Sequence, residues 1–95
     1  KKGTHMTTIE KQVRIPNKLG LHGRASAKLV EVAARFSSDI RLIRDELNAD
    51  CKSILDVMST ACPQGTAVTI RATGEDADAA IIALEELLNR KFDED

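Results

Sequence analysis

The chain has 95 residues, a length that suits a single domain, and its only aromatic side chains are two phenylalanines. The net charge of −1 hides an asymmetry: residues 6–44 carry eight Lys/Arg against three Asp/Glu, and residues 45–95 carry four against twelve. A nucleic-acid binder would show a larger basic excess and more stacking aromatics, so the basic half fits docking to acidic protein partners better.

Residues 1–5 are interpreted as the remnant of an affinity tag, because Gly3-Thr4-His5-Met6 looks like a cleaved tag joined to a start at Met6. We therefore predict one domain over residues 6–95, with His22 as its only histidine. We see no signal peptide and no apolar stretch of the roughly 20 residues that a membrane span needs. The expectation is a cytoplasmic monomer without membrane insertion.

The first half of the chain predicts a strand and then a helix. Apolar residues alternate with polar ones from Ile9 to Ile15, with Lys11 as the one polar residue on the apolar side, which is typical of a half-buried strand. Residues 16–20 contain turn-forming residues. From Arg24 the apolar period becomes helical and continues to Phe36, before two serines end the helix.

The second half predicts three strands and two helices. Residues 39–44 form a strand, a tight turn at Asp45-Glu46 follows, and residues 47–51 form a short strand. A short helix begins after Ser53 as N-cap, residues 68–73 alternate as a fourth strand, and acidic residues open a last helix with a leucine-rich face. We expect residues 92–95 to be a frayed acidic tail.

The element order is therefore β-α-β-β-α-β-α. It predicts an α+β fold, an open-faced two-layer sandwich in which three helices cover one face of a four-stranded antiparallel sheet. Cys51 and Cys62 lack the spacing of a zinc site, and we expect both to be buried or half-buried free thiols.

His22 lies where the first predicted helix begins. The first N–H groups of a helix lack intrahelical acceptors and bind phosphate well. Arg24 would place a guanidinium, whose geometry suits phosphate oxygens, beside the same group. A neutral imidazole is a good nucleophile, and no nucleotide-binding loop or metal cluster accompanies it, so His22 would need a donor enzyme.

Two motifs give this site a family resemblance. Residues 19–27, LGLHGRASA, resemble the motif G-[IL]-H-A-R-P-[AS] of the HPr phosphocarriers of the bacterial phosphotransferase system. Residues 51–59, CKSILDVMS, resemble the family's second signature, K-S-I-[ML]-G-V-M-S, and residues 64–76 are similar to the end of the same domain. The similarity extends from about residue 8 to residue 89.

The resemblance implies a relay carrier that is not an enzyme and needs no cofactor or metal. His22 would take a phosphoryl group on Nδ1 from enzyme I, with phosphoenolpyruvate as source, and pass it to a IIA-type acceptor. Arg24 and the backbone of residues 23–25 would hold the phosphoryl group, and Ser53 would be the site of a regulatory serine kinase. The sugar and nitrogen-related branches both remain open. The exposed apolar residues expected to contact partners are Leu21, Leu55 and Met58, with core packing as the alternative for each.

Three residues depart from the family pattern. Gly23 and Ala25 replace the usual alanine and proline on either side of Arg24, which should loosen the loop while adding the N–H of Ala25. Asp56 replaces a glycine three residues after Ser53 and should oppose a phosphate there. Two other functions are therefore weighed: a regulatory protein-binding module with weakened transfer, and a small-ligand-binding domain without phosphoryl chemistry.

Overall fold

The computed structural model describes residues 6–94, which share one sheet and one hydrophobic core. The predicted order of elements is confirmed. Residue 51 lies outside the third strand, which ends one residue earlier than predicted. The elements are β1 (Thr7–Arg14), α1 (Gly23–Ala33), β2 (Asp39–Arg44), β3 (Leu47–Asp50), α2 (Ile54–Ser59), β4 (Ala67–Gly74), α3 (Ala77–Asn89) and a C-terminal turn (Lys91–Asp93).

The four strands form one antiparallel sheet in the order β1-β4-β2-β3. Ile40 pairs with Ala72 and Leu42 with Ile70, and all four side chains are buried. Their neighbours along each strand are half-buried or exposed, so alternation directs one face of the sheet toward the helices and leaves the other open. This is the predicted two-layer α+β fold.

Lys11, the polar residue on the apolar side of β1, has a partner on the last helix. Its Nζ lies 3.6 Å from Oε2 of Glu85 on α3. β1 is an edge strand, so the long lysine stem can run past the core while its charge reaches the surface. Lys11 thus interrupts the apolar side of β1 at the point where α3 packs over the edge of the sheet.

One carboxylate joins the end of α1 to the start of α3. The carboxylate of Asp76, the residue before α3, accepts hydrogen bonds from the backbone N–H groups and the hydroxyls of Ser37 and Ser38. The shortest of these bonds joins Oγ of Ser38 to Oδ1 of Asp76, at 2.5 Å. These bonds, that from the Ser38 hydroxyl first, lower the pKa of Asp76 to about 2. The prediction that α1 continues to Phe36 is wrong: the helix ends at Ala33, because the N–H groups of Arg35 and Phe36 bond three residues back instead of four. The two serines that follow this turn therefore orient the last helix and do not end the first.

Both cysteines are free and buried, as predicted. Burial raises the pKa of the Cys51 thiol to about 12, so this residue behaves as a small core side chain. Within residues 6–94, no group of three or more His, Cys, Asp or Glu side chains is placed to hold a metal ion. No helix in the same range is long and apolar enough to cross a membrane.

The prediction of a frayed tail is wrong for residues 92–94. Phe92 has no exposed surface and belongs to the core, and the C-terminal turn encloses it. Lys91, Phe92 and Asp93 have φ angles of 55°, 55° and 59°, a left-handed backbone that costs about 1–2 kcal/mol per residue. Burial of the aromatic ring offsets this cost, so residues 92–94 are held against the domain. Residue 95 lies outside the described residues.

Candidate active site at the start of the first helix

A tight loop holds His22 in place before α1. The N–H of Leu21 donates to the carbonyl oxygen of Cys62 (2.9 Å), and the N–H of His22 donates to that of Gly20 (2.9 Å). Gly20 has a φ of +68° and packs so closely on Cys62 that a β-carbon there would collide with its carbonyl oxygen. The loop therefore requires glycine at position 20, and it fixes the backbone from which the imidazole extends.

His22, which the sequence predicts at the start of the first helix, is the N-cap of α1. Its Nδ1 accepts a hydrogen bond of 3.3 Å from the backbone N–H of Arg24. The first i→i−4 bond of the helix runs from Ser26 to the carbonyl oxygen of His22, so the N–H groups of residues 23–25 precede the regular hydrogen-bonding pattern. The structure thus brings the imidazole and the predicted phosphate-binding backbone together.

The hydrogen bonds of the ring decide its tautomer. A backbone N–H can only donate, so Nδ1 must present its lone pair, and in the neutral ring the proton is on Nε2. Nε2 lies 2.5 Å from Oε2 of Glu94, a carboxylate that accepts this proton in a hydrogen bond. His22 therefore has an unprotonated Nδ1 facing the helix terminus and a protonated Nε2 facing a carboxylate.

Glu94 is held by a second partner. Nδ2 of Asn17 donates to Oε1 of Glu94 (2.8 Å) and to the carbonyl oxygen of Gly20 (2.8 Å). The hydrogen bond from Asn17 is the main cause of a lowered pKa of Glu94; His22 and the charge of Arg24 act in the same direction, while burial opposes them. Glu94 is thus a carboxylate at the site that the sequence did not predict.

Arg24 and Ser53 take up different positions. The Arg24 side chain is exposed beside the site and near enough to Glu94 to lower its pKa. Ser53 is the N-cap of α2, and its Oγ accepts a hydrogen bond of 3.3 Å from the N–H of Asp56. The predicted capping role of Ser53 is therefore confirmed, while its regulatory role stays a prediction.

Of the three residues predicted to contact partners, one is buried and two are exposed. Leu21 is only 5% exposed and belongs to the core, which corrects the expectation that it is exposed; its backbone N–H is tied to Cys62 and its side chain turns inward. Leu55 is 80% exposed and Met58 40%. Met58 Cε lies 4.0 Å from the place where a β-carbon of Gly23 would be, so the short helix lies beside the start of α1.

Comparison with known proteins identifies the fold and the family. Residues 9–90 match the family described as "PTS HPr component phosphorylation site". The chain belongs to the HPr family of phosphocarrier proteins. Proteins of this family carry a phosphoryl group in a relay and are not themselves catalysts.

Individual relatives match over nearly their whole length. The chain is 42% identical to the phosphocarrier protein NPr of Shewanella violacea over 89 residues, 94% of this chain and 98% of that one. It is 46% identical to the phosphocarrier protein HPr of Pseudomonas aeruginosa over 84 residues, 87% of this chain and 93% of the relative. A crystal structure of HPr from Thermoanaerobacter tengcongensis superposes with a TM-score of 0.88 at 40% identity, covering 92% of this chain and 98% of that one.

Proposed function

We propose that this HPr-family protein accepts a phosphoryl group on Nδ1 of His22 from enzyme I, with phosphoenolpyruvate as the original source. The group then passes to a IIA-type acceptor, in sugar uptake or in nitrogen-type regulation. The observation that carries the proposal is the unprotonated Nδ1, which lies at the N-terminus of α1, 3.3 Å from the N–H of Arg24.

The surroundings of Nδ1 support the capture of a phosphoryl group. Once phosphorus is bound to Nδ1, the N–H of Arg24 loses its acceptor on the ring and becomes available to a phosphoryl oxygen. The N–H groups of Gly23 and Ala25 and the positive end of the helix dipole favour the same charge. The exposed guanidinium of Arg24 can close over the oxygens from the solvent side, with the paired geometry that lysine lacks.

The proposal is tested with enzyme I and phosphoenolpyruvate. The wild-type chain should take up one acid-labile phosphate, and His22→Ala should take up none. His5→Ala, which changes the only other histidine of the chain, is the matched control and should label fully. Equal labelling of the wild type and His22→Ala would refute the proposal.

Exposed apolar side chains beside the site favour α2 as part of the partner-docking surface. Leu55 and Met58 stay exposed on a helix that buries Val57 against the core. Exposed apolar groups around a charged centre are typical of protein contacts. Leu55→Ala should therefore raise the KM for this chain in the enzyme I reaction and leave its free energy of unfolding nearly unchanged.

We further infer that Ser53 is where a serine kinase would act, and that Asp56 weakens this regulation. Asp56 is bound through its N–H to Oγ of Ser53, and its carboxylate accepts the N–H of Asp50 at 3.2 Å. A phosphate on Ser53 would place about two negative charges beside the carboxylate of Asp56. Glycine, the residue that the family pattern has at position 56, would remove this carboxylate.

Two parallel assays separate the two functions: one uses a kinase that modifies this serine in HPr proteins, supplied with ATP, and the other uses enzyme I supplied with phosphoenolpyruvate. A regulatory binding module predicts acid-stable phosphate at Ser53 with no label at His22, whereas the phosphocarrier predicts label at His22. Asp56→Gly should label at Ser53 faster than the wild type, and Ser53→Ala should not label. An unchanged rate in Asp56→Gly would contradict the role given to Asp56.

A further inference from the structure

The carboxylate at His22 comes from the far end of the chain, and the structure holds it there by several independent contacts. Glu94 is 72 residues from His22 in sequence, yet only 12% of its side chain is exposed at the site. The buried ring of Phe92 anchors the C-terminal turn, and Lys28 on α1 donates to the carbonyl oxygen of Phe92 at 2.9 Å. The N–H of Glu94 closes the turn on the carbonyl oxygen of Lys91 at 3.0 Å.

The side chain of Asn17 shows that this arrangement is specific. Asn17 is 2% exposed, and both of its donated hydrogen bonds are used, on Gly20 and on Glu94. Its Oδ1 is buried and has no hydrogen-bond partner within residues 6–94. A buried amide oxygen without a partner is unfavourable, so this orientation of the amide is explained by the hydrogen bonds that its NH2 group donates to Gly20 and Glu94.

We infer that Glu94 is a positioning residue of the phosphocarrier site, which keeps the proton of His22 on Nε2 and the lone pair on Nδ1. Its consequence for transfer rests on the proposed function. The contact itself depends only on the geometry of Glu94, Asn17 and His22.

The chemistry of transfer explains what such a carboxylate would do. The lone pair of Nδ1 forms a bond to phosphorus while the bond between phosphorus and the donor's leaving atom breaks, and that electron pair stays with the donor. The ring now carries phosphorus on Nδ1 and a proton on Nε2, so it is cationic. The carboxylate of Glu94 faces this positive charge through the bond to Nε2, which stabilises the phosphorylated state.

The same proton matters for onward transfer. When the acceptor attacks phosphorus, the N–P bond breaks and its electron pair returns to Nδ1. With the proton held on Nε2, the leaving group is a neutral imidazole; without it, the leaving group would be an imidazolate, which leaves far less readily. By keeping the proton on Nε2, Glu94 therefore favours both the capture of the phosphoryl group and its transfer to the acceptor.

The test uses the full-length chain and two readouts. Nitrogen-15 NMR of the His22 ring at neutral pH reports which ring nitrogen is protonated, and stopped-flow transfer from phosphorylated enzyme I, then to a IIA acceptor, reports the rates. Glu94→Gln keeps a hydrogen-bond acceptor and removes the charge, and Glu94→Ala removes both. Glu75→Gln is the matched control, because Glu75 is exposed beside Asp76, which contacts Ser37 and Ser38 beyond the opposite end of α1.

We expect the wild type, Glu75→Gln and Glu94→Gln to keep the Nε2–H form, with the Nε2 proton of Glu94→Gln shifted upfield. Glu94→Ala should show a mixture of the two tautomers. Onward transfer should slow about fivefold in Glu94→Gln, the size expected for a partly exposed charge pair, and further in Glu94→Ala.

Wild-type tautomer populations in Glu94→Ala, or equal transfer rates in Glu94→Gln and Glu75→Gln, would overturn the inference. Failure of the proposed function looks different. In that case the wild type itself takes no phosphate on His22, while the NMR arm still reports whether Glu94 holds the ring.

Discussion

Replacing Phe92 by alanine tests whether the C-terminal turn belongs to the fold. Phe92 has no exposed surface, and truncation of such a ring costs about 3–5 kcal/mol of the free energy of unfolding. The turn lies at the edge of the domain and can close over part of the space that the ring leaves, so we expect the lower end of this range, about 3 kcal/mol. A domain of this size has a total stability of about 5–15 kcal/mol, so the loss should be large.

Phe36→Ala is the matched control, because Phe36 is the only other aromatic residue and is partly buried. It should cost about 1–2 kcal/mol, in proportion to the smaller apolar area that it buries. Urea unfolding followed by far-ultraviolet circular dichroism measures both values, since the chain has neither Trp nor Tyr for fluorescence. If Phe92→Ala is no more destabilising than Phe36→Ala, the turn is not part of the core and the reasoning fails.

Two further predictions concern the start of α1 and its far end. Gly23→Ala should raise the free energy of unfolding by about 0.4–1 kcal/mol in urea titrations, because the added β-carbon meets only Met58 Cε, at 4.0 Å, and the unfolded chain becomes stiffer; a destabilised variant would show that the loop needs glycine there. Asp76, with a folded pKa of about 2 against about 4 when unfolded, contributes stability that is present above pH ~4 and is lost as the pH falls toward 2. The stability difference between the wild type and Asp76→Asn should therefore shrink across that range in acid titrations, and a constant difference would contradict it.

Local patterns were sufficient to predict most of the fold. Alternation along β2 and β4 and the helical stripe of α3 correspond to buried positions in the structure, because each pattern reports burial within one element. Ser53 could be assigned to an N-cap, and His22 to the start of a helix, for the same reason, since a cap acts within three residues.

The contacts that complete the site depend on tertiary structure. Asn17 belongs to a segment with turn chemistry and Glu94 to an acidic tail, and nothing in either segment indicates that they meet at His22. One signal was available: Phe92 is one of only two aromatic residues and stands within an acidic segment. A large apolar side chain in such a place favours an anchored tail over a frayed one.

The positions of Thr7 and Glu94 have a practical consequence for anyone who labels or immobilises this protein. Thr7 pairs with Gly74, which packs on Ser38 beyond the C-terminal end of α1, whereas Glu94 lies at the opposite end of that helix, about 16 Å away for 11 residues. A dye or affinity handle joined before Met6 would leave from the end remote from His22. One joined directly after Glu94 would begin beside the imidazole, so activities measured on such a fusion would report the fusion as well as the carrier.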